Sequence, residues 1–215
     1  KGHFALTLND RDSRHPALNV RPAAAWLANR RLLKLARDLQ PDLLCLHHCD
    51  LISNETVLQI RKEMPRCRVA VVYYDTLHVE NSAQRFRKFL EVADFGFATT
   101  AGQTLARFSG TAPVAFIPNP IDLSIDNGRA YAVGEKRVDI FCACGTTGSA
   151  ERWELIDELR RLKPDLRYSL HARNKIGRVS GDAYYALMYQ AKAGLNLNTQ
   201  EGDLYASDRM AQYIG

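Results

Sequence analysis

The sequence is poor in cysteine, and it lacks both a long apolar run and a long run of charges of one sign. Its five cysteines are an odd number, and four of them lie in apolar, strand-like segments. This count does not indicate a disulfide framework, and free thiols in a reducing cytosol are the simplest interpretation. No apolar run approaches the roughly 18 residues that a membrane-spanning helix needs. We therefore expect a cytoplasmic protein.

The balance of charges is mildly basic. Lysine and arginine number 29 against 24 acidic residues, which gives a net charge of +5. This excess suits an anionic small molecule such as a nucleotide phosphate, or peripheral contact with the inner face of an anionic membrane. Because the sequence has no long basic run and no nucleic-acid-binding motif, we expect no nucleic-acid partner.

Two catalytic motifs are also missing or incomplete. The stretch CLHHC (45–49) contains residue types that bind zinc, but strand alternation sends neighbouring side chains to opposite faces. No second ligand pair has zinc-finger spacing, so we expect no metal and interpret the stretch as a buried strand end. No G-x-S-x-G nucleophile elbow occurs, and α/β-hydrolase chemistry therefore has no support.

Short apolar segments that alternate with amphipathic helices are what the sequence does contain. The run RVAVVYY (68–74) is the most strand-like, and its continuous apolar character is typical of a strand buried on both faces of a parallel sheet. The same alternation restarts with VDIFCAC (138–144) and continues through GLNLN (194–198). Asn54 is the predicted N-cap of one of the helices. This pattern predicts an α/β protein with two doubly wound, Rossmann-like domains.

The stretch VAFIPNPID (114–122) marks the predicted domain boundary. Pro118 fixes its own φ, and Pro120 biases Asn119 toward an extended conformation, so the chain leaves the first sheet stiffly. The predicted domains are residues 1–122 and residues 123–215. Asn119 is a candidate contact at this exit, although turn chemistry alone also explains it.

Glycines, hydroxyl groups and basic residues follow the strands of the second predicted domain. Ligands of parallel α/β sheets bind at the carboxyl ends of strands, where loops and helix N-termini meet. A guanidinium at the start of the last helix can clamp a diphosphate bidentately. A plain turn or a polar strand end explains several of the same positions. The candidates for an anionic ligand are Gly145, Thr146, Arg152, His171, Arg173, Tyr205, Ser207, Asp208 and Arg209.

The first predicted domain has a second group of candidates. Asp75 and His78 follow the strongest strand, where they can orient or deprotonate a hydroxyl group. Turn chemistry explains Asp75 nearly as well. The other candidates at this edge of the sheet are His47, His48 and Tyr74.

Four segments occur in an order that resembles a known family. They are LARDLQPDLLCLHH, CRVAVVYYDT, EVADFGFATTAGQTLARF and VAFIPNPID. This order resembles the N-terminal domain of GT-B fold glycosyltransferases. The run GLNLN followed by YASDRMAQYIG is similar to the nucleotide-sugar domain of the bacterial group 1 branch. The resemblance covers about residues 30 to 215, and its junction and final motif are moderately specific.

The resemblance implies two Rossmann-like domains whose parallel sheets face a cleft, the GT-B arrangement. A nucleotide-sugar donor would bind the second domain at the residues that we list for an anionic ligand. The acceptor, a cell-surface glycan or a lipid-linked molecule, would bind the first domain near His47, His48, Tyr74 and Asn119. Asp75 and His78 would be catalytic, and transfer would need neither a metal nor a cofactor. Retention at the anomeric carbon is the commoner outcome in such enzymes.

Two departures from the family pattern leave other functions open. Tyr74 stands where many relatives have histidine, and Gln212 stands where the pattern has glutamate. The chain does not begin with methionine and ends before the second glutamate of that element, so we expect it to be truncated at both ends. The alternatives are another GT-B enzyme, such as a sugar-nucleotide epimerase, and a non-catalytic nucleotide- or sugar-binding module.

Overall fold

The computed structural model contains two compact units. It describes residues 21–47, 49–119, 132, 134–144, 150–172, 177, 179–197, 204–205 and 207–214. The first unit comprises Lys1–Pro118 together with Asp203–Tyr205, and the second comprises Asn119–Gly202 together with Ala206–Gly215. The predicted boundary after residue 122 lies outside the described residues.

The first unit contains a four-stranded parallel sheet in the order β1-β2-β3-β4. Its strands are β1 (Leu43–His47), β2 (Arg68–Tyr73), β3 (Phe95–Ala98) and β4 (Val114–Phe116). Its helices are α1 (Arg21–Leu39), α2 (Asn54–Glu63), α3 (Glu80–Leu90) and α4 (Gly102–Ala106). Val69, Ala70 and Val71 of β2 are all buried, as the continuous apolar run predicts for a strand covered on both faces.

Helix α2 begins one residue earlier than the sequence indicates. Ser53, and not Asn54, is its N-cap: the backbone is extended there, and Ser53 Oγ accepts the N–H of Thr56 at 3.3 Å. Asn54 is the first helical residue, and its side-chain amide instead donates to the carbonyl of Lys88 at 2.8 Å. Ser53 caps the helix because its hydroxyl bonds within the first turn, whereas the side-chain amide of Asn54 joins α2 to α3.

The second unit contains a three-stranded parallel sheet in the order β6-β5-β7. Its strands are β5 (Val138–Cys144), β6 (Tyr168–Ala172) and β7 (Ala191–Gly194). Its helices are α5 (Ala150–Leu162), α6 (Asp182–Tyr189) and α7 (Asp208–Ile214). Phe141 of β5 packs with Tyr184 of α6, whereas its neighbour Cys142 packs with Ile156 of α5. Helices therefore cover both faces of this sheet, as in a doubly wound fold.

Strand β7 starts and ends earlier than the run GLNLN (194–198) predicts. Ala191 pairs with Val138 and Gly194 pairs with Phe141, and the N–H of Leu195 then donates to the Phe141 carbonyl at 2.8 Å. The stretch DAYYALMYQAK (182–192) predicts one helix, because alanine and lysine favour helices. Pairing with β5 overrides that preference.

The fold is therefore α/β, with two Rossmann-like parallel sheets. None of the described helices is both long enough and apolar enough to cross a bilayer.

Candidate functional site

The strand order of the second unit places a change of winding direction between β5 and β7. The chain passes from β5 to β6 on one side and then returns to β7 on the other side of β5. In open parallel sheets, the carboxyl ends of the strands leave a crevice at this switch point, and ligands bind there. The helices that follow β5 and β7 in the chain are α5 and α7. Side chains at the starts of these two helices are therefore the first candidates for ligand contacts.

Arg152 lies in the first turn of α5 and is buried, with 3% of its surface exposed. Among the described residues, neither Nε nor Nη2 of its guanidinium has a hydrogen-bond partner. A buried charge without a partner is strongly unfavourable, and the positive end of the helix dipole adds repulsion. An anion relieves both effects, and helix N-termini attract anions. Arg152 therefore marks the start of α5 as a candidate anion-binding site.

His171 is the second basic side chain near this edge of the sheet. It is half-buried in β6 and pairs in register with Ala143 of β5. Its Nε2 lies 2.8 Å from Ser169 Oγ, whereas its Nδ1 is buried without a partner among the described residues. Burial lowers the pKa of His171, which favours the neutral imidazole. Because Ser169 engages Nε2, Nδ1 is the ring nitrogen that remains for a ligand.

The start of α7 contributes Ser207 and Arg209. The Ser207 hydroxyl donates to Asn196 Oδ1 at 3.1 Å and accepts the backbone N–H of Met210 at 3.4 Å. Arg209 Nη1 donates to the Ala143 carbonyl at 3.0 Å, which places this guanidinium beside the carboxyl end of β5. The sequence analysis does not include Asn196, because its position in the apolar run GLNLN indicates only a strand.

Some predicted site residues cannot be placed. Gly145, Thr146, Arg173 and His48 lie outside the described residues, as does the side chain of Asp208. The placed candidates of the second unit, Arg152, His171, Ser207 and Arg209, all lie on elements that meet at the carboxyl edge of its sheet.

In the first unit, Tyr74 directly follows β2 and is held from several sides. Its carbonyl accepts the hydroxyl of Thr99 at 2.9 Å, and its ring lies edge-on to the ring of His47 with 4.3 Å between centroids. Burial, and secondarily the nearby Cys45, raises the pKa of the Tyr74 phenol. The phenol is therefore neutral at physiological pH and cannot serve as an anionic base there.

Asp75 and His78 lie in the turn between β2 and α3. Asp75 is exposed, whereas His78 is half-buried with Nδ1 3.5 Å from Thr104 Oγ1. The buried Thr100 fixes this turn, because its Oγ1 accepts the N–H of Leu77 at 3.0 Å. Thr100 is a further residue that the sequence analysis does not single out: a threonine after a strand gives no local sign of such a bond.

Tyr205 lies with the first unit, although the sequence places it among the ligand contacts of the second domain. It forms an antiparallel bridge with Thr100, and its hydroxyl donates to the Tyr74 carbonyl at 3.3 Å. The neighbouring Leu204 carbonyl accepts the N–H of Ala101 at 2.9 Å, so two successive residues are bonded to this edge. Asn119, half-buried, belongs to the second unit.

In the part of the chain that the structure describes, no group of three or more His, Cys, Asp or Glu side chains could hold a metal ion. The prediction that CLHHC binds no metal remains a prediction, since His48 is outside that part.

This chain shows little similarity to known proteins in sequence or in structure. No protein-family model matches the sequence, and no curated protein matches it. Among solved structures, the dehydroquinate dehydratase and shikimate dehydrogenase protein of S. pombe is similar over 75% of this chain. This chain spans 38% of that structure, with 12% sequence identity and a TM-score of 0.32. A similarity of this size assigns neither a family nor a function.

Proposed function

We propose that the protein is a GT-B glycosyltransferase that transfers a sugar from a nucleotide-sugar donor to a cell-surface glycan or a lipid-linked acceptor. The observation that carries the proposal is the buried guanidinium of Arg152, which has no partner for Nε or Nη2 among the described residues. The motif resemblance supports a glycosyltransferase, and the Arg152 guanidinium supports an anionic ligand such as a nucleotide diphosphate.

A nucleotide diphosphate is the ligand that best fits the Arg152 site. A guanidinium offers paired N–H donors that match phosphate oxygens, and the first turn of α5 adds its own backbone N–H groups. The site also lies beside the switch point of the second sheet, where nucleotides bind in doubly wound folds. The His171 Nδ1 then provides one directional hydrogen bond for the ribose or base.

In this proposal the protein stabilises the departing nucleotide diphosphate. The bond between the anomeric carbon and the diphosphate oxygen breaks, and a bond to the acceptor oxygen forms. Arg152 and Arg209 offset the negative charge that develops on the leaving group. The acceptor hydroxyl gives its proton to Asp75 or His78, which lie at the carboxyl end of β2.

Calorimetry with UDP, GDP, ADP, CDP and dTDP tests donor binding. We expect one of these diphosphates to bind, and Arg152→Gln to weaken its binding by about 1.5–3 kcal/mol, as for a charge-assisted hydrogen bond. Arg160→Gln is the matched control, because it removes the same charge from an exposed position of α5. If no diphosphate binds at millimolar concentration, or if both variants bind alike, the proposal is wrong.

Release of nucleotide from the matching nucleotide-sugar separates an enzyme from a binding module. A glycosyltransferase releases the diphosphate slowly without acceptor, by hydrolysis, and Asp75→Asn combined with His78→Gln should abolish acceptor-dependent turnover without weakening diphosphate binding. Tight diphosphate binding with no turnover would instead support the non-catalytic module.

A further inference from the structure

Helix α1 has an exposed face that the proposed function does not use. Ala24, Ala28, Leu32 and Ala36, spaced four residues apart, are buried in the core of the first unit and fix the orientation of the helix. The exposed residues opposite this stripe define what we call the α1 face. They are Trp26, Arg30, Arg31, Lys34, Arg37 and Asp38. At 3.6 residues per turn they span about 140° of the helix circumference.

The α1 face is strongly basic for its size. Four of its six residues are basic and one is acidic, although the whole chain has a net charge of only +5. Lys34 pairs with Asp38, and Arg37 pairs with Glu63 of α2. Neither Arg30 nor Arg31 has an ion pair among the described residues. A net positive charge therefore remains on the face after its ion pairs are counted.

Trp26 is the unusual residue of this face. Its side chain is 61% exposed, and the guanidinium of Arg30 lies 5.2 Å from the centre of its ring. An indole so exposed is unfavourable in water, whereas at a bilayer interface its ring contacts lipid and its N–H stays hydrated. The flexible basic residues around it can reach lipid phosphates at the same depth.

We propose that the α1 face binds the surface of an anionic lipid bilayer, with Trp26 inserted at the interface and Arg30 and Arg31 on lipid phosphates. Clustered Lys and Arg side chains bind anionic lipid headgroups, and tryptophan is enriched at the membrane–water interface. Charge complementarity selects this occupant over an apolar protein surface, which would leave the arginines unpaired. The inference is independent of the proposed glycosyl transfer.

Tryptophan fluorescence tests the proposal on the whole chain. Trp153, the second tryptophan, is half-buried in the second unit, so Trp153→Phe leaves Trp26 as the only reporter. With vesicles of phosphatidylcholine and phosphatidylglycerol, we expect its emission to move to shorter wavelength. Phosphatidylcholine alone should give no shift, and high salt should reverse the effect.

Co-sedimentation with the same vesicles tests the basic residues. Arg30→Gln combined with Arg31→Gln should lower the partition coefficient by roughly tenfold or more, and Trp26→Ala should lower it without changing its dependence on salt. The matched control is Arg107→Gln combined with Arg160→Gln, which removes two exposed arginines elsewhere and should leave binding nearly unchanged.

Three results would overturn the proposal: no binding to anionic vesicles at low salt, an equal loss in the control double variant, or tighter binding of the α1 face to an RNA oligonucleotide than to vesicles. Because the nucleotide calorimetry uses no lipid, failure of this test leaves the proposed glycosyl transfer untouched, and the reverse also holds.

Discussion

At the scale of single residues, Arg152 combines features that oppose stability. It carries a positive charge into the interior, at the helix end that repels it, and among the described residues neither Nε nor Nη2 finds a partner. Groups that are costly in the ligand-free protein are often retained because a ligand needs them. If Arg152 serves a ligand, replacing it should stabilise the ligand-free protein. If Arg152 instead supports the fold, replacing it should destabilise the protein.

Arg152→Met should therefore stabilise the ligand-free protein. We expect the free energy of unfolding to rise by about 1–3 kcal/mol, because an apolar side chain of similar length removes a buried charge that has no ion pair among the described residues. Urea denaturation followed by circular dichroism measures this change. Arg160→Met, at an exposed position of the same helix, should stay within about 0.5 kcal/mol of the original chain. A loss of stability in Arg152→Met would show that the guanidinium supports the fold.

At the scale of elements, α7 packs on β7 through a close approach of backbone to ring. A Cβ atom built on Gly194 would lie 2.7 Å from Cδ2 of Tyr213. Tyr213 belongs to the cluster around Phe141, and burial raises the pKa of its phenol. Only glycine lets the helix approach the strand this closely.

Gly194→Ala should push α7 away from β7. We expect it to lower the free energy of unfolding of the second unit by about 1–3 kcal/mol, the usual effect of overpacking. Gly134→Ala is the control in the same unit, because a Cβ atom there meets nothing within 4 Å. Chemical denaturation of both variants gives the comparison, and equal stability of the two would mean that Tyr213 moves aside without cost.

The sequence predicted the helices and strands better than it predicted single-residue contacts. The alternation of buried strands and helices, and the bounds of β5, follow from short continuous apolar runs, which are typical of strands buried in a parallel sheet. The start of β7 did not follow, because Ala191 and Lys192 favour a helix and change state only through pairing with β5. The burial of Arg152 and the bonds of Tyr205 to Tyr74 depend on residues distant in sequence, and no local pattern encodes them.

At the scale of the whole molecule, a carboxylate in each unit joins strands at the amino edge of the sheet. Asp94 accepts the N–H of Val69 at 2.8 Å and pairs with Arg61 and Arg68. Burial alone would raise the pKa of Asp94, but this hydrogen bond and the two arginines outweigh it, and the net effect is a lowered pKa.

Asp139 is the corresponding carboxylate of the second unit. Its contact with Lys192 is the largest cause of a lowered pKa, followed by the backbone N–H of Arg167, which donates to it at 2.8 Å. Lys192 belongs to β7, and Arg167 immediately precedes β6, so Asp139 links its own strand to both neighbours.

The stability of the chain should therefore fall in acid. A carboxylate whose pKa is lowered by folding binds fewer protons in the folded state than in the unfolded state. Its contribution is complete above the unfolded pKa, about 4, and is lost as the pH falls from there through the folded pKa. Denaturation between about pH 3 and pH 7 should show this decline.

Asp94→Asn and Asp139→Asn should each lower stability at neutral pH and flatten the decline in acid. Asp157→Asn, an exposed position of α5, is the control and should keep the original profile. An unchanged slope in the first two variants would mean that other carboxylates govern the acid transition.

The start of strand β5 carries a carboxylate that affects stability in acid, whereas its end lies beside the proposed ligand site. Asp139 lies near its first residue, and Ala143, which binds Arg209, lies four residues further on, about 13 Å away at the usual rise per residue. A charge placed at one end of β5 therefore acts weakly at the other end, because exposed charges act over about 10 Å in moderate salt. Tolerance of acid and preference for a ligand can thus drift independently in a lineage, each through substitutions that leave the other trait untouched.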